Sequence, residues 1–209
     1  MVTVTSDHQE IEVKFYLADL QAFRRRLEAL RARLVQPRLH ELNLRFDSRD
    51  GELARTHQVL RLRQDTLARL TYKSPGEMAG GVRTRREIEF SVDDLEAARA
   101  FLEALGYQVA LVYEKHRAIY QFDTVLVSLD EMPYGDFTEI EGPDAPTIQA
   151  AAVHFGLDWE ARIPETYTTL FARLQQSLGL QFRDLTFDNF AGMEVGALVL
   201  EVQAADRNK

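Results

Sequence analysis

Glu10-Ile11-Glu12-Val13-Lys14-Phe15, near the start of the chain, alternates charged and apolar side chains residue by residue. On an extended strand this spacing puts Glu10, Glu12 and Lys14 on one face and Ile11, Val13 and Phe15 on the other. A solvated face would explain one such segment. The same rhythm recurs at Arg61-Leu62-Arg63, at Lys73, and at Arg83-Thr84-Arg85 followed by Glu87-Ile88-Glu89. It appears again at Lys115-His116-Arg117 and at Thr138-Glu139-Ile140-Glu141. Gathered on the inner wall of one closed sheet, these segments form a ring of fixed positive charge with acidic pairs among it. Carboxylate oxygens suit Mg²⁺ or Mn²⁺, and Arg and Lys suit phosphate oxygens. A polyphosphate with its divalent cation fits that inventory.

The 25 Lys and Arg against 33 Asp and Glu leave a formal charge of −8, which disfavours a general nucleic-acid binder. A length of 209 residues suits one domain with a small appendage, and 45% hydrophobic content can fill an ordinary core. The absence of cysteine removes disulfide frameworks, thiolate metal sites and cysteine nucleophiles together. Met1 to Asp7 do not read as a secretory signal, and the apolar runs are too short to span a bilayer. The expectation is a cytoplasmic protein with no membrane partner, whose partner is a small molecule and for which a homodimer is compatible.

Leu17, Leu20, Phe23, Leu27, Leu30 and Leu34 recur at steps of three and four and predict an amphipathic helix from an Asp19 cap. Leu95, Ala98, Leu102 and Leu105 predict a second, stopped by Gly106. At an offset of 75 residues the two helices correspond, Asp19 meeting Asp94 and Leu27 meeting Leu102, with Glu12 falling on Glu87. Either two similar halves or chance likeness between amphipathic helices accounts for this echo.

Strands are expected at about 8–15, 41–47, 58–64, 67–74, 82–90, 107–114, 116–123, 125–131 and 136–142, enough to close a barrel and remove its edges. Residues 74–81 read as a flexible connection and Pro133-Tyr134-Gly135 as a tight turn. Helices are expected from Pro146 to Phe155 and from Pro164 to about Leu178, near stops at Gly156 and Gly179. The body is placed at 1–179. The apolar content of 180–209 predicts an extension docked on the body or on a partner.

These motifs, with Leu70-Thr71-Tyr72-Lys73, Leu129-Asp130 and the terminal Glu139-Ile140-Glu141, stand in the order found in the CYTH superfamily, which the chain resembles over about residues 8 to 175. Its members, also called triphosphate tunnel metalloenzymes, include class IV adenylate cyclases, thiamine triphosphatases, inorganic tripolyphosphatases and RNA triphosphatases. The resemblance implies an α+β fold: an eight-stranded antiparallel β-barrel forming a tunnel, with peripheral helices. One of the nine β segments must then be a continuation or lie outside the barrel. It further implies Glu10, Glu12, Asp130, Glu139 and Glu141 at or beside a Mg²⁺ or Mn²⁺ ion. Lys14, Arg61, Arg63, Lys73, Arg85, Lys115 and Arg117 would hold the triphosphate, with Glu89 also on the wall. At Asn43 and Arg45 many members carry an Asp and an aromatic residue instead. Strand parity leaves Arg45 either on the phosphate or in solvent.

The expected activity is metal-dependent hydrolysis of tripolyphosphate or a small organic triphosphate, with Glu12, Glu87 or Glu141 accepting a proton from water. An adenylate cyclase on the same cradle and a non-catalytic polyphosphate or nucleotide binder are the alternatives. His8, His40, His57, His116 and His154 have no metal-ligand spacing and read as surface or packing residues. No nucleophile motif or P-loop is present. Glu114 and Glu131 have the opposite parity to Lys115 and Asp130 and are expected outside.

Overall fold

The computed structural model describes residues 8–206. Strand β1 (His8–Leu17), helix α1 (Leu20–Ala29) and long strand β2 (Arg33–Ser48) come first, followed by one-turn α2 (Glu52–Arg55). Four strands follow: β3 (Val59–Gln64), β4 (Ala68–Lys73), β5 (Glu77–Ala79) and β6 (Val82–Val92). Next come α3 (Leu95–Ala104), β7 (Tyr107–Phe122), β8 (Val125–Met132) and β9 (Gly135–Glu141). The rest is α4 (Ala145–His154), short β10 (Arg162–Ile163), α5 (Tyr167–Leu178) and α6 (Ala197–Leu200).

Eight of these strands close on themselves in the order β1-β9-β8-β7-β2-β3-β4-β6, and His8–Glu12 of β1 pair antiparallel with Arg83–Glu87 of β6 to complete the ring. Beyond Glu12, β1 leaves β6 and pairs on that side with β10 through Lys14 and Phe15. The barrel is inverted relative to an ordinary one. Val13, Phe15 and Leu17 point outward into a core with Leu20, Phe23 and Leu27 of α1, Ile148 and Ala152 of α4, and Phe155 just after it. A second outer core joins Leu44, Phe46 and Leu62 to Leu102 of α3. Helices thus cover the outside with apolar contact, and the strands' polar face is turned inward.

The unit strand, helix, long strand occurs twice, as β1-α1-β2 and β6-α3-β7, and the two long strands pair with each other. The caps also match. Asp19 accepts from the Ala22 amide at 2.8 Å and Asp94 from the Ala97 amide at 3.0 Å.

Several boundaries differ from the sequence expectation. The segments 107–114 and 116–123 are one strand, β7, because Lys115 continues the inward alternation and does not break it. Leu34 is not on the first helix: α1 ends at Ala29, Arg31 turns to φ 64°, and Leu34 already belongs to β2. Register shifts in β2 flank Pro37, which has no amide to give to the ladder. Residues 74–81 contain β5, a short hairpin partner of β6. Helix α5 begins at Tyr167, three residues after Pro164, with Thr166 as its cap.

Inward-pointing residues at one end of the barrel change from charged to aromatic. Tyr16 and Phe137 meet edge-on at 5.4 Å, and Tyr167, Leu170, Phe171 and Leu174 of α5 pack over that end with Tyr134 and Met132. Residues 180–206 continue this cover. The Leu185 amide donates to the Val112 carbonyl and the Glu114 amide to the Leu185 carbonyl, which occupies an edge of β7 left open by its other partners. Further on, the Ala205 amide donates to the Tyr16 carbonyl, and Asp206 accepts from the Ala18 and Asp19 amides. Among the described residues no helix is long and apolar enough to cross a membrane.

These contacts set a stability expectation. Leu185 is fully buried, whereas Leu198 is 93% exposed. Leu185→Ala should lower unfolding free energy by about 3 kcal/mol through lost burial and a cavity, and Leu198→Ala by less than about 0.5 kcal/mol. Urea titrations of the two variants measure the difference; equal effects would contradict the packing of this segment.

Candidate active site

The inner wall surrounds a cavity of about 300 Å³ lined by nine Lys and Arg and six Glu. Each strand contributes by parity. Glu10, Glu12 and Lys14 come from β1, Arg61 and Arg63 from β3, Lys73 from β4, and Arg85, Glu87 and Glu89 from β6. Lys115 and Arg117 come from β7, and Glu139 and Glu141 from β9. Of the metal, substrate and catalytic residues expected from the sequence, only Asp130 does not line the cavity.

Most of these charges are paired. Glu10 accepts from Lys73 Nζ at 2.7 Å and from Arg85 Nε at 2.7 Å. Burial alone would raise its pKa, but Lys73 and Arg85 outweigh that and hold it far below the usual carboxylate range. Lys73 also lies 2.7 Å from Glu87. Burial, and the Glu10 charge sharing that lysine, push Glu87 upward. Glu139 pairs with Lys14 at 3.3 Å and with Arg117; against its burial, these cations keep it well below the usual range. Arg63 lies 3.1 Å from Glu89, and Arg61 lies 3.5 Å from the same carboxylate.

Asp130 is fully buried behind this wall. It accepts from Lys115 Nζ at 3.2 Å, from the Tyr167 hydroxyl at 2.8 Å and from Arg117. Its oxygens hold two cations in place from behind. Glu114 and Glu131 lie outside, as their parity requires: Glu114 accepts from the Phe187 amide at 3.0 Å and Glu131 takes a two-pronged contact from Arg38. His40 and His116 meet on that outer face with their rings tilted and 5.3 Å apart.

Two carboxylates are left short of positive charge. Glu12 and Glu141 face each other across the β1–β9 ladder. Among the described residues Glu12 has one ion-pair contact, from Arg85 at 3.2 Å, and is pushed up by burial and by Glu139 and Glu10. Glu141 is raised to about 7 by burial and by the charges of Glu10, Glu12 and Glu87. Hard oxygen donors that repel one another are a donor set a divalent cation would relieve. Among the described residues no group of three or more His, Asp or Glu is already drawn together as a metal site.

Several wall residues escaped the sequence reading. Glu41 is almost fully buried beside Lys115 and Arg63, at 3.6 and 3.8 Å. Burial would raise its pKa, yet Lys115, Arg117 and Arg63 bring it down to about 2. Its parity with Asn43 and Arg45 was the available signal. Tyr113 shares the parity of Lys115 and receives Arg61 at 3.4 Å. Tyr167 had no strand signal at all, since it enters from α5; the Lys14 ammonium lies 4.1 Å from its ring centroid. Arg45 faces the cavity and not the outer surface.

The Glu141 shift gives a testable pH dependence. A glutamate whose folded pKa of about 7 lies above its ordinary 4.5 favours folding fully only below the lower value, and that contribution is lost as pH rises through the upper one. In metal-free buffer Glu141→Gln should therefore match the wild type near about pH 4 and exceed its Tm by about 2 °C or more at about pH 8. A Tm difference that is the same at both pH values would contradict the shift.

The model of the CYTH domain matches residues 8–155. A protein of Methanocaldococcus jannaschii named as a candidate adenylate cyclase is 28% identical over 134 residues, or 63% of this chain and 75% of that one. A Vibrio parahaemolyticus structure, described as a candidate adenylate cyclase, superposes with a TM-score of 0.72 at 20% identity, over 80% of this chain and 99% of the other. A Pyrococcus horikoshii protein gives 0.65 at 27% identity, over 77% and 98%. A Hippeastrum protein, described as a candidate adenylyl cyclase with a dominant triphosphatase activity, gives 0.63 at 20% identity, over 78% and 95%. Similarity at 20% identity speaks for the barrel fold alone. The family match takes in every strand of the barrel and most of the chain, and on that ground the chain belongs to the CYTH domain family.

Proposed function

We propose that this protein hydrolyses a triphosphate, inorganic tripolyphosphate or a small organic triphosphate, with a divalent cation as cofactor. The observation that carries the reading is the wall itself: nine cations converge on one cavity while Glu12 and Glu141 stay under-compensated beside them. A pure anion receptor gains nothing from carboxylates that repel its ligand. Arg61, Arg63, Lys115 and Arg117 would grip phosphate oxygens, Arg as a planar fork and Lys as a point charge. Held by Glu89 and Asp130, they are oriented before the ligand arrives and need little rearrangement as charge develops on the transferred phosphoryl group.

Glu10, Glu12, Glu139 and Glu141 would hold Mg²⁺ or Mn²⁺, and the exposed parts of Glu12 and Glu141 fit that task best. When bound, the cation would neutralise phosphate charge and lower the pKa of water. Of the three candidate bases, Glu141 stands nearest neutrality in the metal-free wall, at about 7, a value that a cation bound beside it would lower. Glu87 stays tied to Lys73. Asp130 is assigned the positioning of Lys115 and Arg117.

The second reading is an adenylate cyclase, supported by the name of the Methanocaldococcus jannaschii relative. Hydrolysis is preferred because nine Lys and Arg and six Glu dominate the side chains that line the cavity. The Hippeastrum neighbour, whose description joins a cyclase name to a dominant triphosphatase activity, points the same way. Turnover with Mg²⁺ and Mn²⁺ on tripolyphosphate and ATP separates the readings. Orthophosphate release from tripolyphosphate should exceed cyclic nucleotide formation from ATP by at least about tenfold. Arg63→Ala should reduce kcat/KM on tripolyphosphate by about 100-fold, roughly the loss of 2.7 kcal/mol of transition-state binding. Arg63→Lys should recover part of it, and exposed Arg25→Ala should change nothing. Cyclic nucleotide as the main product would move the assignment to the cyclase, and an unaffected Arg63→Ala enzyme would remove Arg63 from the cradle.

A further inference from the structure

The outer face of β2 and β7 brings together three side chains that sequence spacing leaves unconnected. His40 and His116 are register partners across the antiparallel pair, with ring centroids 5.3 Å apart. Glu114 stands two residues from His116 and so shares its face, and its Oε1 lies 3.5 Å from His40 Nε2. None of the three lines the barrel cavity. The His40 side chain is 47% exposed and that of Glu114 21%, so solvent reaches both.

These separations suit ligands of one small cation. A tetrahedral ion with bonds of about 2.0–2.1 Å sets its donor atoms about 3.4 Å apart and the centroids of two imidazole ligands about 5.2 Å apart. The neighbours leave the three side chains available. Glu131, the other carboxylate of this face, is occupied by the two-pronged contact from Arg38. Glu114 Oε2 accepts from the Phe187 amide at 3.0 Å, which holds the carboxylate from behind and leaves Oε1 towards His40. His116 Nδ1 is buried with no hydrogen-bond partner. The site is not preset, since among the described residues no ion-pair contact joins His116 to Glu114; its ring must turn to bring a nitrogen to the ion. Phe187 packs on that ring at 4.8 Å, and Leu185 of the same segment pairs with β7, so an ion here would fasten residues 185–187 to the barrel.

We propose that His40, His116 and Glu114 form a second metal site, on the outside of the barrel, for a Zn²⁺-type ion. Two imidazoles and one carboxylate, with the fourth position open to water, suit Zn²⁺, whereas Mg²⁺ prefers oxygen donors throughout. The site is separate from the carboxylates of the inner wall and stands independently of the polyphosphate reading.

Titration of the metal-free, tag-free protein with Co²⁺ tests this without turnover, because tetrahedral Co²⁺ with nitrogen ligands absorbs visible light strongly and octahedral all-oxygen Co²⁺ only weakly. The wild type should develop the strong band, Zn²⁺ should abolish it, and excess Mg²⁺ should leave it in place. His40→Ala and His116→Ala should each weaken the Co²⁺ affinity read from the band by at least about tenfold, and Glu114→Gln should weaken it too. Should an alanine variant fail to fold, His40→Gln and His116→Gln, which keep a polar side chain without the imidazole, must show the same loss. Glu12→Gln and Glu141→Gln, inside the barrel, should keep the band. A wild type without the band, a band unchanged in both histidine variants, or a band lost with the inner glutamates would overturn the outer site.

Discussion

A closed barrel that turns its charge inward must neutralise that charge locally, because an unpaired ion removed from water costs several kcal/mol. Most of this molecule follows from that constraint. Glu10 lies between Lys73 and Arg85, Glu89 between Arg61 and Arg63, and Asp130 behind Lys115 and Arg117. Because the interior is polar, the apolar residues of the same strands must find their core outside. Helices α1, α3 and α4 supply it.

Some wall residues are exceptions to this pairing. Burial and neighbouring carboxylates push Glu12 and Glu141 up, and among the described residues neither Arg45 nor Arg83 has a carboxylate within ion-pair distance. On the proposed function, a bound cation would relieve the first imbalance and a bound phosphate the second. The paired residues serve a different purpose: they hold Arg63, Lys115 and Arg117 in fixed positions before any ligand enters.

The period of two along the strands was legible in the sequence, because a residue facing the wrong way would place a charge in an apolar core. That rule correctly directed Glu10, Glu12, Lys14, Lys115 and Glu139 inward and Glu114 outward. It also contained Glu41 and Tyr113, which only needed the parity of Asn43 and Lys115 carried two residues further. What local pattern could not supply was anything set by distant chain. Tyr167 reaches the cavity from a helix, Leu185 covers β7 from some seventy residues away, and β7 runs unbroken through a stretch that reads as two strands. Pro37 hid the start of β2, since proline weakens a strand signal while a bulge accommodates it.

The central claim is that the inner wall is a polyphosphate surface served by the under-compensated carboxylates. A crystal structure with tripolyphosphate and Mn²⁺ tests it most directly, because phosphorus positions and the anomalous signal of manganese are read independently. The account predicts phosphate oxygens on Arg63 and Lys115 inside the barrel and an anomalous peak beside Glu12 and Glu141. Phosphate bound only on the outer surface, or manganese bound away from these glutamates, would contradict it.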